Sequence, residues 1–126
     1  MAQDLSALRW QNRIVILRAD SNENESLRQQ IAILKSNKKG LEERKLVVFQ
    51  NTEGKTTNIH NNNEAVNLSQ YILKTLQSMS GDFKLLLVGL DGMVKLRSEK
   101  TVSVTELFDV IDSMPMRQAE QARDKY

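Results

Sequence analysis

The sequence predicts one α/β domain, and three features of the chain support this class. Consecutive apolar residues at positions 14–17 and 85–88 are typical of strands that are covered on both faces. Between these two runs, apolar residues recur at helical spacing. Asp91-Gly92 stands between two apolar runs and indicates a hairpin, because a type I′ turn needs positive φ at both central residues. A chain of 126 residues, 40 % of them apolar, is long enough for one core.

The stretch 82–117 organises this prediction, because it contains a complete strand–turn–strand–helix unit. After the buried strand and the Asp91-Gly92 turn, Val94 and Leu96 alternate with Met93, Lys95 and Arg97, as expected of an edge strand. Ser103 and Glu106 have the spacing of a capping box at the start of a helix, and Pro115 ends that helix. Such a unit needs earlier elements to cover its sheet.

The preceding residues supply those elements. Positions 13–19 predict a central strand, and a first helix is expected over 24–39, with Gly40 just past its end. A second strand is predicted at 45–50, and 55–59 are compatible with a short extra strand that folds back. A second helix is expected to begin with a cap at Asn63 and to end at Gly81. The polar termini, 1–7 and 118–126, lie outside the predicted domain, and the C-terminal one is expected to fray.

The predicted element order is therefore β-α-β-α-β-β-α. The first βαβ unit has to be right-handed with parallel strands, and the hairpin adds an antiparallel pair. The most economical arrangement is a sheet with strand order 2-1-3-4 and helices on both faces. This is the thioredoxin-like fold, and the predicted domain covers residues 8–117.

The composition excludes several kinds of chemistry. The chain contains no cysteine, which excludes thiol-disulfide oxidoreductase and thiol peroxidase activity. A net charge of +2 and only 5 % aromatic residues argue against nucleic-acid binding. No run approaches the ~18 apolar residues of a transmembrane helix, so membrane insertion is not expected. The chain opens without a basic-then-apolar signal region, which leaves Met1 either native or added to a mature N-terminus.

The direction of the strands predicts a candidate site at one edge of the sheet, namely the edge where the ends of several strands meet. The first strand ends there, the third begins there and the fourth returns there, which places Asp20, Asp82 and Arg97 together and Asp91 at the opposite edge. These three are the candidate catalytic residues, with the carboxylates in acid–base roles; an ion pair with Arg97 would instead be structural. Redox members of this fold keep their chemistry at this edge. Here the sequence D-S-N-E follows the first strand and no proline precedes the third, so the thiol machinery is missing.

Four further residues are candidate ligand contacts: Ser21, Glu23, Lys100 and Trp10. The N-terminus of the first helix favours an anion, but Glu23 already supplies negative charge there, and simple helix capping is the alternative. Trp10 is expected to fill the core beside the first strand together with Leu8; stacking on a ligand is the alternative. His60 is the only histidine and has no second strong ligand nearby, so neither a metal nor a cofactor is predicted.

Three segments carry a family resemblance: LRWQNRIVIL at 8–17, GLDGMVKLR at 89–97 and DSMPMR at 112–117. In these segments the chain resembles the domain-of-unknown-function family 4174, over residues 8–117. The resemblance implies a thioredoxin-like fold related to the peroxiredoxin-like domains of vertebrate extracellular proteins with sushi repeats. Bacterial members usually carry an export signal, so a periplasmic or secreted location is expected. The family has no agreed reaction.

The expected function is a non-catalytic thioredoxin-like module that binds a partner or has a structural role in the cell envelope or extracellular space. The alternative is a cysteine-independent enzyme, or a peroxiredoxin-like relic, that uses Asp20, Asp82 and Arg97. If the chain is an enzyme, we expect a concave pocket at that edge that contains at least one residue with a perturbed pKa. If the chain is a binding module, we expect an exposed apolar patch or an open sheet edge. The nature of the partner, protein or small molecule, and the oligomeric state are left open.

Overall fold

Residues 3–124 are described by a computed structural model, which contains one seven-stranded sheet with helices on both faces. The strands are β1 (Gln3–Asp4), β2 (Arg13–Ala19), β3 (Leu46–Thr52), β4 (Lys55–Asn58), β5 (Asn61–Asn67), β6 (Phe83–Val88) and β7 (Val94–Ser98). Their order across the sheet is β1-β5-β4-β3-β2-β6-β7. β2 pairs in parallel with β3 and antiparallel with β6, and β6 pairs antiparallel with β7. The prediction about Met1 lies outside the described residues.

The helices are α1 (Glu25–Lys35), α2 (Lys38–Glu43), α3 (Gln70–Gln77), α4 (Val104–Asp112) and α5 (Pro115–Asp124), and a short 3-10 helix covers Leu5–Leu8. Three helices begin at a side chain whose oxygen accepts a hydrogen bond from a backbone N–H three residues later: Asn24 for α1, Ser69 for α3 and Ser103 for α4. None of the described helices combines the length and the apolar character that crossing a bilayer requires.

The two faces of the sheet bury separate apolar clusters. Val15 and Leu17 of β2 belong to one cluster, and Ile14 and Ile16 belong to the other, because successive side chains of a strand point to opposite faces. Helices α1, α2 and α4 cover the first face, whereas α3 and the 3-10 helix cover the second. Residues 14–17 and 85–88 are all buried, as their unbroken apolar runs predict.

The predicted order is confirmed for the four strands that it included. The observed order β3-β2-β6-β7 is the predicted 2-1-3-4, and the class is a thioredoxin-like α/β fold. The short extra strand exists as β4, and β5 and β1 extend the sheet further on the β3 side. β7 is an edge strand, with the expected alternation of half-buried and exposed residues.

The helix predicted over 24–39 is in fact two helices. Ser36 Oγ and Asn37 Nδ2 each donate to the carbonyl four residues earlier, at 2.9 and 2.7 Å, so polar side chains occupy the carbonyls at the end of α1. Gly40 lies inside α2 and does not follow a helix end. A Cβ at Gly40 would lie 2.6 Å from Cε2 of Phe108, so the glycine allows α2 to pack against α4.

The second helix begins later than predicted. Its cap is Ser69, not Asn63, and the residues before it form β5, which pairs antiparallel with β4. Asparagine is a poor helix former, and the backbone groups on the open edge of β4 need partners. Strand pairing therefore outweighs the helical spacing of the apolar residues before Ser69.

The β6–β7 hairpin has the predicted glycine conformation but a different turn type. Gly92 has a φ of +81°, whereas Asp91 does not have a positive φ. Gly92 N–H donates to Gly89 O at 3.0 Å, and Gly89 N–H donates to Met93 O at 2.9 Å. This pattern is a type I turn followed by a left-handed glycine, and it is not a type I′ turn. The Asp91 carboxylate accepts a hydrogen bond from Met93 N–H at 3.0 Å and reinforces the turn.

Regular structure extends beyond the predicted domain at both ends. β1 pairs with β5, and Leu5 is buried. The tail that was expected to fray from residue 118 instead continues α5, which begins at Pro115; a proline suits this position because its missing N–H would have no helical partner there. Arg117 and Glu120 on one face of α5 are buried, so the expectation of a frayed end is wrong for 118–124.

Candidate functional site

The end of the sheet where β2 finishes holds two of the three candidate catalytic residues. Asp20 directly follows the last residue of β2, and Asp82 directly precedes the first residue of β6. Because these two strand residues pair with each other, Asp20 and Asp82 are neighbours at this end, and both are exposed. Arg97 lies opposite Leu86 in the register, four residues along β6 from Asp82. That separation is about 13 Å at the usual rise per strand residue. No ion pair joins these three described side chains, and Asp91 lies at the opposite end of the sheet.

Ser21, Glu23 and Lys100 lie at the same end and make local contacts. Ser21 Oγ accepts a hydrogen bond from Glu23 N–H at 3.2 Å, and Lys100 N–H donates to Ser98 Oγ at 3.1 Å. Asn24 caps α1, accepting from the backbone at 2.9 Å. The observed contacts of Ser21 and Glu23 are those of a turn that leads into a capped helix.

A polar cleft of about 490 Å³ lies near this end, between α1 and the β3–β4 hairpin. Asn22 Oδ1 accepts hydrogen bonds from Gln50 Nε2 at 3.0 Å and from Thr52 Oγ1 at 2.7 Å, which fixes the loop after β2 to the end of β3. Lys35 and Lys55 also line this cleft, but Asp20, Asp82 and Arg97 do not. The predicted catalytic residues and the concave surface at this end are therefore separate.

His60 lies in the turn between β4 and β5 and is exposed. Partial burial lowers the pKa of His60, and the positive charges of Lys38 and Lys35 lower it further. Over residues 3–124, no group of three or more histidine and acidic side chains is arranged to hold a metal ion.

The large apolar side chains that are exposed gather at the opposite end of the sheet, around the β6–β7 hairpin. Trp10 is 59 % exposed and has a φ of +69°. The backbone N–H of Trp10 donates to Leu90 O at 2.7 Å, which connects the segment before β2 to the hairpin. The expectation that Trp10 fills the core is wrong, because this link turns the indole outwards, whereas Leu8 does pack against the α3-side cluster.

Arg9, Tyr71 and Met93 surround the same hairpin. Arg9 Nε donates to Asp91 O at 2.9 Å, and its guanidinium lies 5.9 Å from the centre of the Trp10 ring. Tyr71 Oη accepts a hydrogen bond from the N–H of Val94 at 3.1 Å. These side chains line or border a mainly apolar cleft of about 310 Å³ whose buried inner residues include Leu5, Ile72 and Val88. We call the following residues the hairpin surface: Arg9, Trp10, Tyr71 and Met93.

A buried ionic network connects α5 to the sheet on the other side of the hairpin. Arg13 begins β2 and is fully buried; its Nη1 donates to Glu120 Oε2 at 3.2 Å and to Arg44 O at 2.9 Å. Arg117 Nη1 lies 3.5 Å from the same Glu120 oxygen, and Arg117 Nε donates to Asp112 at 3.2 Å. Arg44 donates to both oxygens of Asp112, at 3.0 and 2.9 Å. The network thus links three guanidiniums through two carboxylates.

The cationic partners keep two carboxylates ionised. Burial alone would raise the pKa of Asp112, but the hydrogen bonds from Arg44 and Arg117 outweigh it and hold the pKa below its ordinary value. Burial also raises the pKa of Asp91, but the hydrogen bonds from Lys95 and from the Met93 N–H outweigh this effect and hold the pKa below its ordinary value. Lys95 Nζ lies 2.9 Å from the Asp91 carboxylate.

The buried ionic network of Arg13, Arg117 and Glu120 was not predicted from the sequence, although the spacing of two of these residues pointed to it. Arg117 and Glu120 stand three residues apart, which places them on one helix face, and Arg13 directly precedes the apolar run of β2. Tyr71 and Met93 had no comparable signal, because single apolar residues on a surface are common.

The sheet order, the parallel βαβ unit and the antiparallel hairpin define a thioredoxin-like protein, here without cysteine. The mitochondrial 2-Cys peroxiredoxin of Plasmodium falciparum has a similar structure, with a TM-score of 0.57 at 16 % identity over 86 % of this chain and 79 % of that chain. The reduced 2-Cys peroxiredoxin of Plasmodium vivax has a TM-score of 0.56 at 14 % identity, over 97 % of this chain and 72 % of that chain. At these identities the likeness concerns the fold alone.

The particular family is identified by sequence. The family described as domain of unknown function DUF4174 matches residues 4–120, and the chain belongs to this family. The match confirms the resemblance drawn from the segments at 8–17, 89–97 and 112–117. No curated protein sequence matches the chain.

Proposed function

We propose that this chain is a non-catalytic binding module of the cell envelope or extracellular space, and that it contacts a protein partner through the hairpin surface. The observation that carries this proposal is the state of Trp10. Its indole is 59 % exposed, and its backbone has a left-handed φ of +69°. A non-glycine residue pays roughly 1–2 kcal/mol for that conformation. Lys45 and Glu53 also have a positive φ and are exposed, but among these three residues only Trp10 exposes a large apolar side chain. A bound partner that covers this indole is the reason we infer for its exposure.

The composition of the hairpin surface supports a protein partner. Tryptophan, tyrosine, methionine and arginine are enriched in protein interfaces, and the first two with arginine dominate their binding energy. Trp10, Tyr71 and Met93 are among the most exposed large apolar residues described. Tyr71 and Met93 line one apolar cleft, and Trp10 directly follows Arg9, which lines the same cleft. Arg9 adds a positive charge that is held in place by the hairpin backbone. An apolar peptide segment with a nearby acidic residue fits this surface.

The catalytic alternative has less support. The neighbouring structures are named 2-Cys peroxiredoxins, and this chain has no cysteine with which to perform thiol chemistry. Asp20 and Asp82 are neighbours, but they lie outside the cleft near their end of the sheet, and Arg97 is not paired with either. A cysteine-independent reaction would need another set of residues.

The location rests on the family resemblance and has its own test. We expect the product of the full native gene to be recovered from the periplasm or culture medium after cell fractionation. Recovery with a cytosolic marker enzyme would contradict the envelope location while leaving the binding surface to be tested separately.

The binding surface is tested by site-specific photo-crosslinking in the native cell. A photoreactive amino acid at Met93 should give one discrete adduct, and the same group at exposed Lys100, at the other end of the sheet, should give none. Replacing Trp10 by glycine should abolish the adduct while leaving the stability unchanged or higher, because glycine adopts positive φ without strain. Equal adducts from both positions, or a large loss of stability in the Trp10→Gly variant, would contradict the proposal.

A further inference from the structure

A second cleft, of about 420 Å³, lies across the hairpin from the hairpin surface. It is bounded by the β6–β7 turn on one side and by the corner between α4 and α5 on the other. Leu90, Val110 and Met114 supply apolar walls, Met116 is exposed on α5, and Arg13 is the fully buried residue that lines it. The volume falls within the range of small-molecule sites.

Arg13 has unused hydrogen-bonding capacity in this cleft. Its Nη1 donates to Glu120 and to the carbonyl of Arg44. Its Nε and Nη2 have no hydrogen-bond partner, and because the side chain is only 1 % exposed, water does not reach them either. A buried donor without a partner destabilises the fold, and it does so more strongly when the donor belongs to a charged group. Nε and Nη2 form one edge of the guanidinium, and their parallel N–H groups match the two oxygens of a carboxylate.

The charge around Arg13 points in the same direction. The buried network contains the guanidiniums of Arg13, Arg44 and Arg117 but only the carboxylates of Asp112 and Glu120, which leaves one positive charge in excess. Glu43 approaches Arg44 only to 4.0 Å, and its side chain is 55 % exposed, so its charge is screened by water. Lys95 in the cleft is balanced by Asp91. One monovalent anion would neutralise the network.

We propose that this cleft binds a small organic carboxylate, with its head group on Nε and Nη2 of Arg13 and its apolar body against Leu90, Val110 and Met114. The predominantly apolar walls favour a monocarboxylate with a hydrocarbon body over inorganic phosphate. Arg13, whose two unpaired donor atoms are buried, lines the same cleft as Met114 and Met116. Because methionine changes rotamer easily, these two side chains can move to admit the head group. This site is separate from the hairpin surface, so it extends the proposed function without resting on it.

A titration with benzoate tests the proposal, with backbone amide NMR shifts as the readout. Benzoate should bind the full chain and shift the amides of Leu90 and of the α4–α5 corner. Benzamide, which has the same ring but no charge, should bind at least about tenfold more weakly, because a charge-assisted bidentate contact is lost. Absence of benzoate binding, equal binding of benzamide, or equal binding of inorganic phosphate would overturn the proposal.

Two kinds of variant locate the site. Arg13→Lys keeps the positive charge but removes the guanidinium edge, and it should lower benzoate affinity by at least about tenfold. Because this buried change can also unfold the chain, a matched pair at exposed Met116 provides a second measurement. Met116→Glu should lower the affinity by about two- to fivefold, and Met116→Lys should not lower it. A folded Arg13→Lys protein with wild-type affinity, or equal affinity of the two Met116 variants, would overturn the proposal.

Discussion

Replacing Glu120 by alanine removes the carboxylate through which α5 holds the first residue of β2. In the native chain Glu120 accepts from Arg13 Nη1 at 3.2 Å and lies 3.5 Å from Arg117 Nη1. Both arginine side chains are buried, with 1 % and 7 % exposure, so water cannot replace the lost carboxylate. After the substitution, the half-buried Asp112 is the carboxylate of this network that remains to face its three guanidiniums.

The size of the effect follows from this geometry. Removing one partner of a buried ion pair costs about 3–5 kcal/mol, because the remaining charge is left uncompensated. We expect the lower end, about 3 kcal/mol, because Arg13 keeps its bond to Arg44 O and Arg117 keeps its bond to Asp112. With a urea m-value of roughly 1.5 kcal/mol per M, the unfolding midpoint should fall by about 2 M.

Urea unfolding followed by far-UV circular dichroism measures this change. Gln118→Ala, on the exposed face of the same helix, is the matched control and should stay within about 0.5 kcal/mol of wild type. Replacing Arg13 and Glu120 together by methionine should recover much of the loss, since an apolar pair can fill the same space without charge. If Glu120→Ala and Gln118→Ala have the same midpoint, the Glu120 carboxylate does not stabilise the fold and its ion pairs with Arg13 and Arg117 are not formed in solution.

Three further predictions concern the turn, the chemistry and the acid response. Gly92→Val should destabilise the chain by more than about 1 kcal/mol, because a φ of +81° is closed to β-branched residues; an unchanged urea midpoint would contradict the hairpin geometry. The purified chain should neither reduce insulin disulfides nor consume peroxide with a thiol donor, and turnover above a heat-inactivated control would refute this. Because the folded pKa of Asp112 is lowered from 3.8, its ionised form stabilises the fold above that value and the contribution is lost as pH falls through the lower folded pKa. Asp112→Asn should therefore reduce stability near pH 7 and flatten its fall on acidification, and parallel pH profiles of the two proteins would show that Asp112 has no such role.

The central strands could be predicted because their sequence signals are local and strong. Unbroken apolar runs identify β2 and β6, and the handedness of the βαβ unit then allows few arrangements. Ser103 was recognised as a cap because capping depends on residues three apart in sequence. Strand direction alone brought Asp20 and Asp82 to one end, but it could not fix the register that sets Arg97 opposite Leu86.

The parts that were missed depend on contacts between distant residues. Segment 61–67 is a strand because β4 offers it an open edge, which residue spacing within the segment cannot reveal. Glu120 is buried because Arg13, 107 positions away in the chain, needs a carboxylate at that place. A polar helix is predicted to be exposed to solvent unless the residue that pairs with its charged side chains is known. A charged C-terminal segment of this kind is therefore easily mistaken for a frayed end.

The energetic costs in this structure are unevenly distributed, and their distribution bears on function. At the end where β2 finishes, the α1 cap is satisfied and Asn22 accepts two hydrogen bonds. Positive φ does not distinguish the two ends, because Glu53 in the β3–β4 turn has a φ of +53° and Trp10 near the hairpin has a φ of +69°. Near the hairpin, however, Trp10 also exposes a large apolar ring, and Arg13 keeps two buried N–H-bearing nitrogens without partners. Natural proteins retain such costs mainly at functional sites. In a thioredoxin-like chain without cysteine, these features support our proposal that binding occurs at the end of the sheet opposite to the one where redox members of the fold keep their chemistry.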